Sequence, residues 1–130
     1  MRNFRTLNIW QQGIQLVIDV YKLSEKLPAE EKYGLKSQIC RAAVSIPSNI
    51  AEGSSRPSEI EYGRFLEMAL GSAFEVETQL MIIQKLHLVS IDQIEKLQTL
   101  LDLEQKMINS LISKLRLNAK NQKQIAKSQS

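Results

Sequence analysis

The sequence predicts an all-α protein, an antiparallel up-down four-helix bundle, and three observations carry the expectation. Apolar residues recur every three or four positions through most of the 130 residues, the spacing that lines one face of an α-helix. Glycine and proline are scarce, at five and three, and Pro28 and Pro57 fall between the periodic runs. No run combines strand-like alternation with turn signals.

Taken in chain order, the first run sets Leu7, Trp10, Ile14, Val17, Val20 or Tyr21, and Leu27 on one face and stops at Pro28. The second begins at Glu30, or just after Gly34, and ends at Glu52, with Gly53 as a natural residue for the left-handed position that follows a helix. Ser58 to Glu61 reads S-x-x-E, a capping box. It opens a third run with Tyr62, Phe65, Leu66, Ala69, Ala73, Val76, Leu80 and Ile83 on one side. After a link from His87 to Val89, Ser90 and Gln93 repeat the box ahead of Ile94, Leu97, Leu101, Ile108, Leu111 and Leu115. Short links make sequential helices antiparallel neighbours. Residues 1–116 are therefore read as one bundle, and residues 117–130 as a polar basic tail, disordered or a frayed helix end.

The composition, 43% hydrophobic and 24% charged, is that of a folded domain. No apolar run approaches the roughly 20 residues that span a bilayer, and the amino terminus lacks the apolar stretch of a signal peptide. A single cysteine, Cys40, cannot form an internal disulfide. These features predict a cytoplasmic protein with no membrane anchor. Of the 17 Lys and Arg, three (Lys120, Lys123 and Lys127) lie beyond Arg116, where there is no Asp or Glu, so the preceding chain balances 14 against 14 and the net +3 belongs to the tail. A basic arm of this kind is a nucleic-acid contact or a solvated end.

The second run, RAAVSIPSNIAEG from Arg41 to Gly53, carries a proline in its middle. On a helical wheel, Leu35, Ile39, Ala42, Ile46 and Ile50 form a core-facing stripe. Arg41, Ser45, Asn49 and Glu52 share a second side with Gln38. They read as a hydrogen-bonded network that fixes packing, with Arg41 as a phosphate contact the alternative. Cys40, Val44, Pro47 and Ala51 occupy the third side, where a monomeric bundle should show Lys and Glu. An apolar third side predicts an interface with another copy of the chain. Small residues at Ala69, Gly71, Ser72 and Ala73 permit close helix approach, and Glu67 and Glu75 are acceptors for Arg41 or Arg64.

No catalytic, cofactor or metal site is expected. The single histidine, His87, follows no glutamate at the spacing of a di-iron bundle, one His and one Cys do not make a zinc site, and no phosphate-binding glycine loop is present. GSSRPS, Gly53 to Ser58, precedes a helix start and places Arg56 beside backbone N–H groups suited to an anion.

The combination of F-x-x-L-x-I-W-Q (Phe4 to Gln11), YGLKSQICRAAVSIPSNIAEGSSRPS (Tyr33 to Ser58) and FLEMALGSAFEVETQL (Phe65 to Leu80) resembles the bacterial four-helix-bundle proteins encoded in intervening sequences of 23S ribosomal RNA genes. That family is in turn similar in fold to the accessory variability protein of diversity-generating retroelements, a five-fold barrel of bundles. The resemblance implies a ring-like homo-oligomer, a pentamer, with Arg41, Ser45, Asn49 and Glu52 at the family's polar positions and Gly71, Ser72 and Glu75 at its G-S-x-x-E positions. It implies no enzymatic activity.

Two functions follow as expectations. One is a non-catalytic oligomer that binds structured RNA or DNA, with Arg56, Arg64, Lys120, Lys123 and Lys127 as contacts. The other is an adaptor that recruits a partner enzyme without touching nucleic acid.

Overall fold

The computed structural model describes residues 2–31 and 33–129, and among them four α-helices and no strand are found. Of two 3₁₀ turns, Phe4–Thr6 and Ala29–Glu31, the first is capped by the Asn3 side chain, which accepts from the Arg5 N–H at 3.2 Å. The helices are α1 (Asn8–Ser24), α2 (Leu35–Ser54), α3 (Glu59–Lys85) and α4 (Ile91–Gln129). Short links join them, so neighbours run antiparallel and enclose one core. No helix among the described residues is long and apolar enough to cross a membrane.

Capping chemistry sets two of the boundaries. Ser58 accepts from the Glu61 N–H at 3.1 Å and starts α3. At its other end, His87 takes a left-handed backbone with φ 54°. The Leu88 N–H reaches the Ile83 carbonyl at 3.2 Å and the His87 N–H the Gln84 carbonyl at 3.0 Å, the paired bonds of a Schellman ending. Gly53, by contrast, ends nothing. It lies inside α2, buried, with no positive φ. A Cβ there would stand 2.5 Å from Cβ of Phe65, so the residue is glycine because α3 crosses α2 at that point.

The core stripes of α3 and α4 fall where the periodicity placed them, with Phe65 and Leu111 half-buried beside them and Gln79, Glu104 and Ile112 added. On α1 the stripe is turned. Ile9, Gly13, Leu16, Val20, Leu23 and Ser24 are buried, while Ile14 and Tyr21 are exposed. This helix is apolar on two sides, and the bundle buries the side that carries Gly13. From a Cβ placed on Gly13, Oε2 of Glu104 is 3.1 Å away and Cβ of Pro47 3.3 Å; three helices meet there because the glycine has no side chain.

Pro47 is accordingly buried inside the bundle and is not part of an outward face. The stripe of α2 runs through Ala43, Pro47 and Ser54 as well as Ile39, Ala42, Ile46 and Ile50. Of the three residues grouped with Pro47, Cys40 is half-buried with its Sγ–H donating to Ser24 Oγ at 3.5 Å, Ala51 is half-buried, and Val44 is 39% exposed. The set divides between core and surface because α1 packs on that side of α2. Residues from Leu117 onward, set apart as a tail by composition, continue α4 without a break to Gln129 and are exposed from Lys120. Ser130 lies outside the described residues.

Candidate nucleic-acid interface

Helix α4 has 39 residues and α3 has 27, about 58 Å against about 40 Å at 1.5 Å per residue. The carboxy-terminal third of α4 therefore runs alongside the first turns of α3 and then past them. On α4, Ile112, Arg116, Ala119, Lys120 and Lys123 recur at helical spacing. On α3, Ile60, Gly63, Arg64 and Glu67 do the same. The two rows line one open groove of about 400 Å³.

The groove has an apolar floor and a charged rim. Ile112 and Leu115 are core residues of α4 seen from outside, and Ile60 and Ala119 extend them. Arg116 Nη2 forms an ion pair with Glu67 Oε1 across the cleft. Glu67, expected to receive Arg41 or Arg64 from a neighbour, receives Arg116 within its own chain. Arg64, Lys120 and Lys123 have no ion-pair or hydrogen-bond partner among the described residues. Four cations and two carboxylates, Glu59 and Glu67, line the site, a formal excess of two of the chain's net +3.

Of the contacts expected from the sequence, Arg64, Lys120 and Lys123 are thus brought together, and Lys127 follows one turn further along α4. Arg56 stands apart. It pairs with Glu52 at 3.4 Å and lies over the Phe65 ring at 4.7 Å, and its carbonyl accepts from Arg2 Nη1 at 2.7 Å. Arg2 itself lies over the Tyr62 ring at 4.4 Å. Burial raises the Tyr62 hydroxyl above its ordinary pKa, and the nearby Arg2 charge partly offsets that.

The polar side of α2 is realised only in part. Ser45 donates to Ser72 across to α3, and Asn49 Nδ2 donates to the Ser45 carbonyl at 2.8 Å. Arg41, expected in a buried network, is exposed, and so is Glu75; Glu52 is exposed and bound to Arg56. The reason is the added width of the buried stripe of α2, which turns Arg41 to the surface.

Sequence reasoning missed Glu104. It is 0% exposed, and neither carboxylate oxygen has a hydrogen-bond partner among the described residues. Desolvation pushes its pKa up from 4.5 to about 8, so it is neutral at pH 7. The signal was present in the spacing, since Leu97, Leu101, Glu104 and Ile108 continue one three-four pattern into the core. With Cys40 bound to Ser24 and His87 exposed in the α3–α4 link, these two residues are not paired, and no group of three or more His, Cys, Asp or Glu among the described residues is placed to hold a metal ion.

A family model described as "23S rRNA-intervening sequence protein" matches residues 5–110. A solved structure, described as a protein with unknown function from the S23 ribosomal protein family of Bacteroides thetaiotaomicron VPI-5482, is similar in fold. Its TM-score is 0.75 at 24% identity, covering 80% of this chain and 97% of that chain. No curated protein matches. The α4 side of the groove, Ile112 to Lys123, lies beyond the residues matched by the family model.

Proposed function

We propose that this chain, which belongs to the 23S rRNA-intervening sequence protein family, is a non-catalytic, oligomeric helical-bundle protein of the cytoplasm that binds structured RNA or DNA. One observation carries the reading: Arg64, Lys120 and Lys123, from two helices, stand unpaired around one groove. Surface cations often go without a carboxylate partner; what sets these three apart is that one groove gathers them. Gathered and unpaired, they neutralise phosphates and release the counterions condensed on them, so affinity falls with salt at a slope of roughly 0.7 to 0.9 per phosphate contact.

The test is binding of a labelled RNA hairpin over a salt series from about 50 to 200 mM. Replacing Lys120 and Lys123 by Ala is expected to weaken binding and to flatten the slope by roughly 1.4 to 1.8. Absence of binding by the intact chain at the low-salt end refutes the reading.

The oligomer is part of the proposal. Helix α1 turns Ile14, Ile18 and Tyr21 outward at successive turns, and Val44 is exposed on α2. An apolar outer face supports contact with another copy, and five copies, the number the family resemblance implies, would gather five grooves and raise avidity without new contacts. Val44→Lys is expected to give a smaller species by light scattering with helicity retained. The same apolar row supports the second reading, an adaptor that recruits a partner enzyme, which takes first place if the salt series shows no nucleic-acid binding.

A further inference from the structure

Resting on the nucleic-acid reading of the groove, we propose that it holds one unpaired nucleotide, with the base laid on the apolar floor and the flanking phosphates at the rim. A site for phosphate alone needs cations and no floor. Here Ile60, Ala119 and the outer edges of the core residues Ile112 and Leu115 line the same groove as Arg64, Lys120 and Lys123. The ligand that complements this arrangement is a flat, weakly polar group held a short distance from an anion, which is what an unstacked nucleotide offers. A duplex keeps its bases stacked inside and shows phosphates and sugars outward, so it reaches the rim and leaves the floor uncovered. A volume of about 400 Å³ lies in the range of small-molecule pockets, roughly 300 to 1,000 Å³.

Gly63 is compatible with such a ligand, although Gly71, on α3 outside the groove, is equally unpacked. Gly63 lies within α3, half-buried, and lines the groove, and a Cβ placed on it meets no atom within 4 Å. No close packing requires a glycine there, unlike at Gly13 or Gly53, and glycine inside a helix is an unfavourable choice. Its effect is to leave the floor open between the two helices. The carboxylate of Glu59 also fits a base better than a phosphate, since base amino groups donate to carboxylates.

The experiment compares three probes on the intact chain at one salt concentration: a single-stranded RNA of mixed sequence, the same strand annealed to its complement, and the same strand made abasic. The single strand is expected to bind about tenfold more tightly than the other two, which corresponds to covering roughly 55 Å² of apolar surface at about 25 cal/mol per Å². Gly63→Leu, which fills the floor without changing charge, is expected to remove that advantage while leaving duplex binding within about twofold and the salt slope unchanged. Duplex binding by the variant also reports that it is folded. Equal binding of the abasic and base-bearing strands overturns the assignment and leaves the proposed function standing, as does a Gly63→Leu variant that keeps the preference. Failure of all three probes to bind at low salt overturns both.

Discussion

Glu104→Gln is expected to change how stability depends on pH while changing the shape of the core little. In the folded chain the carboxyl holds its proton up to a pKa of about 8, and its ordinary value is 4.5. Between these values the folded state binds one more proton than the unfolded chain, so stability falls as pH rises. The contribution is fully present below about pH 4.5 and is lost by about pH 8, at up to 1.36 kcal/mol per pH unit. Integrating the two titrations from pH 5.5 to 7.5 gives a loss of about 2.5 kcal/mol, an order-of-magnitude figure. Glutamine has the same size and leaves polar atoms in the same place, but it does not titrate, so this loss disappears.

Urea denaturation at several pH values and one fixed protein concentration measures it. With a slope of about 1 to 3 kcal/mol per molar urea, the unmodified chain is expected to lose roughly 0.8 to 2.5 M in midpoint over that interval, relative to Glu104→Gln. A common pH dependence for the two proteins would show that Glu104 is solvated or hydrogen-bonded in solution, and the assignment of a neutral buried acid would be wrong.

Two further substitutions test the packing. His87→Gly is expected to stabilise the chain by about 0.5 to 1 kcal/mol, because glycine accepts the φ of 54° without a Cβ penalty; a lower midpoint in thermal denaturation would show that the His87 side chain contributes more than the strain it carries. Gly53→Ala is expected to destabilise by about 1 to 3 kcal/mol, since the new Cβ would stand 2.5 Å from Cβ of Phe65 and the α2–α3 crossing must open; an unchanged midpoint would mean the helices separate there without cost.

The helices and two of their core stripes were legible because the three-four rows read on α3 and α4 are the rows that the bundle buries, although α3 also exposes Ile60, Met68, Phe74, Met81 and Ile82. On α1 the row read was not the buried one. Ile14, Val17 and Tyr21 describe a helical face as convincingly as Ile9, Leu16, Val20 and Leu23, and periodicity has no way to rank two apolar faces. Gly13 ranks them, and its meaning depends on Pro47 and Glu104, which are 34 and 91 positions away in the chain. The candidate site was half legible. Lys120 and Lys123 were identifiable as excess charge and Arg64 as a candidate contact, whereas the groove that unites them exists only because α4 continues as helix beside α3. The apolar floor and Gly63 belong to that juxtaposition.

The meeting of Gly13, Pro47 and Glu104 also accounts for the proline that sets α2 apart. Proline inside a helix removes the N–H that would bond the carbonyl four residues earlier, here that of Ala43, and costs about 3 kcal/mol if nothing compensates. On an outward face, water would satisfy that carbonyl and the residue would be a local irregularity. At a buried position it instead shapes the bundle: Cβ and Cδ of the ring lie 3.3 and 3.5 Å from the point where Gly13 would carry a Cβ. A larger residue on α1 at that height would be driven into the ring and into the Glu104 carboxyl together. The three positions are therefore coupled, and a change at one is expected to alter the cost of a change at another, which a double-mutant cycle on Gly13→Ala and Glu104→Gln measures directly. An interaction energy near zero would mean that the approach of a Cβ at position 13 to the Glu104 carboxyl, 3.1 Å as placed on the backbone, relaxes freely, and that the three positions are not coupled.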